Sequence, residues 1–217
     1  SSIAARKAGG GLLSGSSFGG NAKGKVKLKG VSDSVKQQIT NAAYQDLVSK
    51  LKANGYNVLS KSKFTSSEQY SKAKKYTFPY LDDNSSLLSE YGQTKYYQPT
   101  AYGKEGIMFM NDILDVSGGF AFANGGQQAA DFATKNNIGV ISATYFVDFT
   151  AAGGHGGSWS SSASVEVGQN LAVTSGTIKV AKGASSSFTA GEASISLGQP
   201  VESGKTFGTV IDETTDI

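Results

Sequence analysis

The side chains that most often perform acid–base or nucleophilic chemistry are scarce in this sequence. His155 is the single histidine, and cysteine is absent. A chain without cysteine has no disulfide, no thiolate metal site and no cysteine nucleophile. One histidine is too few for a His-rich zinc or iron site within one chain. We therefore expect no metal and no cofactor.

Three segments approach known catalytic signatures but lack the partner groups. Residues 15–19 match G-x-S-x-G, and His155 opens a His-Gly-Gly run like an esterase oxyanion loop. A serine nucleophile needs a base, and His155 would have to be both the base and part of that loop. Residues 19–26 nearly match a phosphate-binding loop, but Val26 replaces the hydroxyl that binds Mg²⁺. We expect no catalytic residue.

Carboxylate chemistry stays open as a second alternative, a hydrolase of unknown type. Paired carboxylates can hydrolyse glycosidic bonds, and the chain has 17 acidic residues. No spacing selects one pair among them. The candidates are Asp82, Asp83, Asp112, Asp115, Asp148 and Glu166.

A tyrosine-rich stretch between Phe78 and Lys104 shows no helix or strand period. A connection of this length is typically functional or packed as an Ω-like loop. Its rings could stack on a glycan, or they could pack the segment onto the sheet, which we favour. A Gly/Ser loop at 151–162 adds one histidine and the single Trp. The candidate contact surface is Tyr80, Tyr91, Tyr96, Tyr97, Tyr102, His155 and Trp159.

Composition limits the remaining function classes. The chain has 217 residues, 38% of them hydrophobic and 17% charged, with a net charge of +3. That charge is too small to indicate nucleic acid, and no apolar run approaches a membrane helix. The composition, rich in Ser, Gly and Tyr, is typical of an exported bacterial protein. The start at Ser1 suggests a processed chain. We expect a periplasmic, outer-membrane-associated or secreted protein.

The first half reads as mixed α and β structure. Residues 1–24 are rich in Gly and Ser and predict a flexible arm, and 25–217 predict a single α/β domain. An alternating strand is expected at 25–31. A helix should begin at Ser32 or Asp33 and end at Gly55, followed by a strand at 56–60. Further elements are expected as a helix from about Thr65 to Tyr76, a strand at 107–110 and a helix at 127–136.

The last third predicts only strands. The strongest is 138–149, with Ile141, Ala143, Tyr145, Val147 and Phe149 on one face, and we expect it to be central. A hairpin should join 164–174 to 177–182 across Ser175-Gly176. Shorter strands follow at 193–197 and 206–211. The fold class is therefore α+β: a mixed sheet with two or three helices packed on it and a β-rich C-terminal third.

The helix and the segment after it resemble one group of bacterial envelope proteins. Residues 39–47 followed by Leu51-Lys52-Ala53-Asn54-Gly55-Tyr56-Asn57-Val58 look like their unit of amphipathic helix, Gly and strand. The step from Gln128 to Ala143 resembles their second helix and long strand, and 163–180 resembles their closing strands. The group comprises curli secretion-channel lipoproteins, LpoB-type synthase activators and TolB N-terminal-like domains. The resemblance implies a small three-layer α/β domain without catalytic residues.

Three functions follow from these expectations. The leading one is a non-enzymatic, lipoprotein-like envelope protein that acts by protein contacts in assembly, secretion or regulation, through a partner or self-association. The alternative is a glycan- or cell-wall-binding protein that uses the tyrosine-rich stretch, with peripheral membrane contact also open. The third is the hydrolase described above. No nucleic-acid partner is expected.

Overall fold

The computed structural model describes residues 4–6, 23–25, 31–82, 94–108, 125–156, 163–181 and 192–205. Helices and antiparallel sheets occur together, and strands fill the last third of the described chain. The α+β class is confirmed. Every strand pair in these ranges is antiparallel, where a mixed sheet was expected.

Two short strands near the N-terminus pair with each other. Strand β1 (Ala4–Arg6) runs antiparallel to β2 (Lys23–Lys25). The rest of the predicted arm, and residues 26–30 of the strand expected at 25–31, lie outside the described residues. The division into an arm and a domain stays a prediction.

The first long helix follows its sequence signals closely. Helix α1 (Asp33–Ala53) begins where the Ser32 hydroxyl accepts a hydrogen bond from the Val35 N–H, at 3.3 Å. It ends before Gly55, whose φ of 83° suits glycine. The expected helix is confirmed. None of its residues is buried, however, so the predicted apolar stripe is covered only in part.

The strand expected at 56–60 is wrong. These residues pair with no strand, and Tyr56 is 64% exposed. The chain goes directly into helix α2 (Ser62–Thr65) and then helix α3 (Glu68–Lys72). Ser67 rather than Thr65 caps α3, because its hydroxyl accepts the Tyr70 N–H. The helix expected to reach Tyr76 therefore divides into two short ones.

Residues 76–106 form small strand pairs. Strand β3 (Tyr76–Thr77) leads through a cis Phe78–Pro79 bond to β4 (Tyr80–Asp82), which pairs with β5 (Thr94–Tyr96). A 3₁₀ turn follows at Thr100–Tyr102, and β6 (Glu105–Gly106) returns to β3. Ile107 and Met108 lie outside any strand, contrary to the expectation for 107–110, and residues 109–110 are not described.

The second long helix is also as expected. Helix α4 (Gly125–Asn136) ends at Asn137, which adopts a φ of 52°. Ala129 and Ala130 have no exposed surface and form the centre of the core with Ala181. Phe64, Ile107 and Val140 pack against this centre. The core is thus built from small residues on α4 and one end of the sheet.

The C-terminal sheet is an antiparallel meander with two long strands. Strand β7 (Val140–Gly156) pairs along its length with β8 (Ala163–Ala181). Two predictions are wrong here: 151–156 are strand rather than loop, and β8 runs through Ser175-Gly176 without a turn. Ser-Gly is a common turn dipeptide, but here Gly176 lies opposite Tyr145 in the ladder.

The other edge of β8 is lined by the chain's last described strands. Strand β9 (Glu192–Ser196) pairs with 177–181, and β10 (Val201–Glu202) pairs with 172–173. Backbone bonds from Leu197 N–H to Gly176 O and from Ser203 N–H to Leu171 O continue the same ladder, each at 2.8 Å. Within the described residues β8 is therefore the central strand and β7 lies at an edge, which corrects the expectation for 138–149. Residues 206–211 are not described.

Candidate contact surface

The register of the sheet assigns each side chain to one of two faces. Partners across antiparallel strands share a face, and neighbours along a strand alternate. Ile141 pairs with Val180, Ala143 with Ile178, and Ile178 with Ile195. A register shift after Phe146 leaves Thr174 as an extra residue on β8. Because the shift does not interrupt the alternation along β7, Val147 lies on the same face as Tyr145. Its neighbours across the strands, Val173 and Val201, continue that face.

Over residues 141–147 of β7, and at the positions of β8, β9 and β10 beside them, one face of the sheet carries only apolar side chains and glycine. We call it the apolar face. Its only side-chain polar atom is the Tyr145 hydroxyl. The apolar face comprises Ile141, Ala143, Tyr145, Val147, Val173, Gly176, Ile178, Val180, Ala193, Ile195, Leu197 and Val201.

These apolar side chains remain in contact with solvent. Ile195 is 65% exposed and Val201 is 59% exposed. Ile141, Tyr145 and Leu197 are each exposed by about two-fifths, and the branched residues of β8 are half-buried. A contiguous exposed apolar area of this kind typically marks an interaction site in a soluble domain.

The opposite face is more polar and yet is the covered one. Ser142, Thr144, Thr177 and Lys179 lie on it with Ala181. Helix α4 packs against this face through Ala129 and Ala130, and Lys179 is only 6% exposed. Helix α4 therefore buries the polar face at Lys179 and Ala181, while the exposed side chains of the apolar face lie on the other side of the sheet.

Tyr145 occupies a defined place on the apolar face. A side-chain carbon built at Gly176 would lie 3.0 Å from Tyr145 Cδ1, so the ring covers the glycine across the strand pair. An aromatic ring over a cross-strand glycine shields the backbone where no side chain can. Gly176 is accordingly buried, unlike the other residues of the face.

A shallow groove lies at the C-terminal end of α1. It has a volume of about 400 Å³ and is lined by Leu47, Lys50, Leu51, Asn54 and Tyr56. Lys50 Nζ donates to Asp46 Oδ2 at 2.6 Å, and this bond raises the Lys50 pKa, with a smaller electrostatic contribution from Tyr145. The groove therefore combines apolar side chains with an ammonium that is paired with Asp46.

The tyrosine-rich stretch packs its rings on one another and on the sheet. The Tyr76 and Tyr80 ring centroids are 5.1 Å apart, and those of Tyr80 and Tyr96 are 6.4 Å apart. Tyr96 then meets Phe146 edge-on at 6.2 Å. Phe146 lies on the polar face, so this row of rings ends on the covered side of the sheet.

Tyr97 joins the stretch to the start of α1. Its hydroxyl donates to Asp33 Oδ1 at 2.6 Å, and Lys95 Nζ donates to Asp33 Oδ2 at 2.5 Å. The Lys95 hydrogen bond, followed by that from Tyr97, holds the Asp33 pKa below its usual value. Burial, followed by the Asp33 carboxylate, raises the Tyr97 pKa. The two pKa shifts favour a neutral Tyr97 phenol and an ionised Asp33 carboxylate. The hydrogen bond between these groups links the tyrosine-rich stretch to the start of α1.

Tyr102 makes a second junction with the same helix. Its ring meets the Tyr44 ring edge-on at 5.6 Å, and Lys61 Nζ lies 5.4 Å from its centroid. Burial, with a smaller effect of Tyr44, raises the Tyr102 pKa to about 12. Asn41 Oδ1 also accepts the Thr100 N–H at 2.9 Å. These contacts anchor helix α1 to the tyrosine-rich stretch.

Of the candidate residues that the structure describes, Tyr80 and Tyr96 contact each other, whereas Tyr97 and Tyr102 contact α1. Tyr80, Tyr96, Tyr97 and Tyr102 are half-buried in the contacts just given. His155 lies in β7 opposite Ser164, while Tyr91 and Trp159 lie outside the described residues. The candidate contact surface of the sequence therefore stays a prediction.

The carboxylate candidates stand at separate positions. Asp82 lies opposite Thr94 in β4, Asp148 opposite Ala172 and Glu166 opposite Gly153. Asp83, Asp112 and Asp115 fall outside the described ranges. Among the described residues, no group of His, Asp and Glu side chains could hold a metal ion.

The apolar face itself was not predicted as a site, although its signal stands in the sequence. Residues 141–147 alternate apolar with polar until Phe146, and 193–197 read Ala-Ser-Ile-Ser-Leu. The sequence alone does not give the strand register that places these two rows of apolar side chains next to each other.

None of the described helices has the length and hydropathy needed to cross a membrane. Searches of family models, curated proteins and solved structures find no match to this chain.

Proposed function

We propose that this chain is a non-enzymatic protein of the bacterial envelope that acts through protein–protein contacts, with the apolar face as its contact surface. The observation that carries the proposal is the inversion of the sheet. Helix α4 packs on the polar side, where Lys179 and Ala181 are buried, while Ile195 and Val201 on the apolar side are more than half exposed. Leaving this surface in water costs free energy that a bound partner recovers.

The chemistry of the face favours a protein over a glycan. Sugar hydroxyls need hydrogen-bond partners, and a buried hydroxyl without one is costly. The face offers them only the Tyr145 hydroxyl. Tyr80 and Tyr96, two of the rings considered for stacking on a sugar, are instead half-buried against each other and Phe146.

The same chemistry supports a binding role rather than a catalytic one. Proton transfer needs titratable groups positioned at the reacting atoms. Apart from Tyr145 the apolar face has no titratable side chain, and the adjoining Lys50 is held by Asp46. Assembly, secretion and regulation are all roles that such a surface serves.

An envelope location is supported by composition and by the resemblance of 39–58 to envelope proteins. The helix and its closing Gly55 form as that resemblance implies, although the strand after them does not. Fractionation of the source cells with an antibody against the chain tests the location. We expect it in the periplasmic, outer-membrane or secreted fraction, and recovery only in the cytoplasm would contradict this part of the proposal.

Site-specific photocrosslinking in the source cells tests the contact surface. A photoreactive amino acid replaces Ile195 in one strain and Ser194 in another. Both residues are exposed on β9, but they point to opposite faces. We expect protein adducts from position 195 and few from 194. Equal labelling, or no adduct from either position, would contradict a protein contact at the apolar face.

A further inference from the structure

We propose that the end of helix α1 and the segment after it dock onto a lipid bilayer with anionic headgroups. The docking surface consists of residues 50–63, which we call the basic segment. It shares no residue with the apolar face, so this inference goes beyond the proposed protein contact and does not depend on it. A chain held on a membrane by the basic segment keeps its apolar face available to a protein partner.

The charge of the basic segment selects an anionic partner. Residues 50–63 contain four lysines and no acidic residue. Lys50 is paired with Asp46, at 2.6 Å. The other three lysines form no ion pair with any residue that the structure describes; they are Lys52, Lys61 and Lys63. A lysine beside an anionic bilayer strengthens binding by about fivefold, and the contributions multiply.

Exposed apolar side chains lie between these lysines and favour a bilayer over a soluble polyanion. Tyr56 is 64% exposed and Leu59 is 40% exposed. Of the twelve residues 52–63, all but Val58 are exposed. At a bilayer, side chains such as these enter below the headgroups while the ammonium groups stay at the phosphates. A soluble polyanion would pair with the lysines but would leave the leucine in water.

Contacts at two points hold the segment after α1 against that helix. The Tyr56 N–H donates to Leu51 O at 3.1 Å, and the tyrosine lines the 400 Å³ groove at the helix end. Farther along, Lys61 Nζ lies 5.4 Å from the centroid of the Tyr102 ring, which meets Tyr44 of α1 edge-on. The lysines and the exposed apolar side chains therefore share the C-terminal half of α1 and the chain beside it.

Co-sedimentation of the full chain with lipid vesicles measures the binding. We expect binding to phosphatidylcholine vesicles that contain about 30% phosphatidylglycerol, weakening as salt is added, and little binding to phosphatidylcholine alone. Lys52→Gln/Lys63→Gln should weaken the binding by about 25-fold, because two contributions of about fivefold are lost. Lys52→Arg/Lys63→Arg keeps both charges and should bind as the unaltered chain does.

A matched lysine tests whether the position of the charge matters. Lys205 is exposed just after β10, outside the basic segment. Lys63→Gln alone should weaken vesicle binding by about fivefold, and Lys205→Gln should change it by less than about twofold. Equal losses in the two variants would show attraction by net charge alone and would overturn the docking surface.

A pair of leucines tests the apolar part of the contact. Leu59 and Leu81 are similarly exposed, at 40% and 42%, but Leu81 lies on β4. Leu59→Ser should weaken vesicle binding by about fivefold through lost apolar burial, and Leu81→Ser should leave it unchanged. Circular dichroism confirms that each variant is folded, because both replaced side chains are exposed.

Three further outcomes would overturn the inference. The first is a chain that does not bind the anionic vesicles. The second is binding to dextran sulfate that Leu59→Ser leaves unchanged, without binding to vesicles, which would assign the basic segment to a soluble polyanion. The third is vesicle binding that is lost in Ile195→Asp and kept in Lys52→Gln/Lys63→Gln, which would place the lipid on the apolar face. Photocrosslinking from position 195 tests the proposed function separately, whichever of these results is found.

Discussion

At the scale of single residues, the clearest electrostatic feature is the pair of junctions between α1 and the tyrosine-rich stretch. Tyr97 and Lys95 converge on Asp33, and Tyr102 packs on Tyr44. Sequence reasoning identified these tyrosines as notable and favoured packing as their role. Which atoms they would meet was not predictable, because Asp33 and Lys95 are 62 positions apart along the chain.

The raised pKa of Tyr102 gives a pH prediction with a definite sign. The neutral phenol is favoured in the folded protein, so its stabilising effect is complete below about pH 10 and is lost as pH rises towards about 12. We expect the phenolate absorbance of the native chain, minus that of Tyr102→Phe, to titrate near pH 12. A difference that titrates near pH 10 would mean that Tyr102 is not shielded in solution.

At the scale of elements, the helices were predictable because their signals are local. Ser32, the lysines of the last turn and Gly55 mark α1 within one segment, and Asn137 marks the end of α4. Strands were less predictable, since they depend on a partner. Residues 56–60 have residue types that are typical of a strand, but they pair with no other strand. Ser175-Gly176 is a typical turn dipeptide, but here both residues pair with β7 and continue the strand.

Gly55 tests the helix end without any change in packing. Its φ is 83°, and a side-chain carbon added there would meet no atom within 4 Å. Gly55→Ala should therefore destabilise the fold through the backbone alone, by about 1 kcal/mol. Gly198 has equally open space and no positive φ. We expect Gly198→Ala to change the urea midpoint little. An equal loss of stability in both variants would contradict the conclusion that the positive φ of Gly55 causes the destabilisation.

At the scale of the whole molecule, the division of the sheet into an open and a covered side decides what the protein can do. Alternation in 138–149 was recognised in the sequence, with the apolar row Ile141 to Val147 on one side. The strand was predicted to be central because Val140 and Phe146 add apolar area to its other face. Only the register with β8 and β9 shows that this row joins others to form an exposed surface.

The packing of α4 on the sheet can be tested by overfilling it. Ala130 has no exposed surface and contacts the core centre, so Ala130→Leu should lower the free energy of unfolding by about 1–3 kcal/mol. The same change at Ala42, which is exposed on α1, should have little effect. Urea denaturation measures both, and an unaffected Ala130→Leu would show that α4 does not cover the sheet in solution.

The order of the elements along the chain has a consequence for synthesis. Helix α4 is followed by β7, β8, β9 and β10, and each strand pairs with the one before it or with β8. These pairings join distant positions, such as Val140 with Ala181 and Val173 with Val201, and non-local β pairing forms slowly. The apolar face is complete only after β10 has left the ribosome, so its rows of apolar side chains stay exposed until then. We expect newly made chains to bind a chaperone for as long as this surface has no partner. We also expect overproduction to favour aggregation through the same surface.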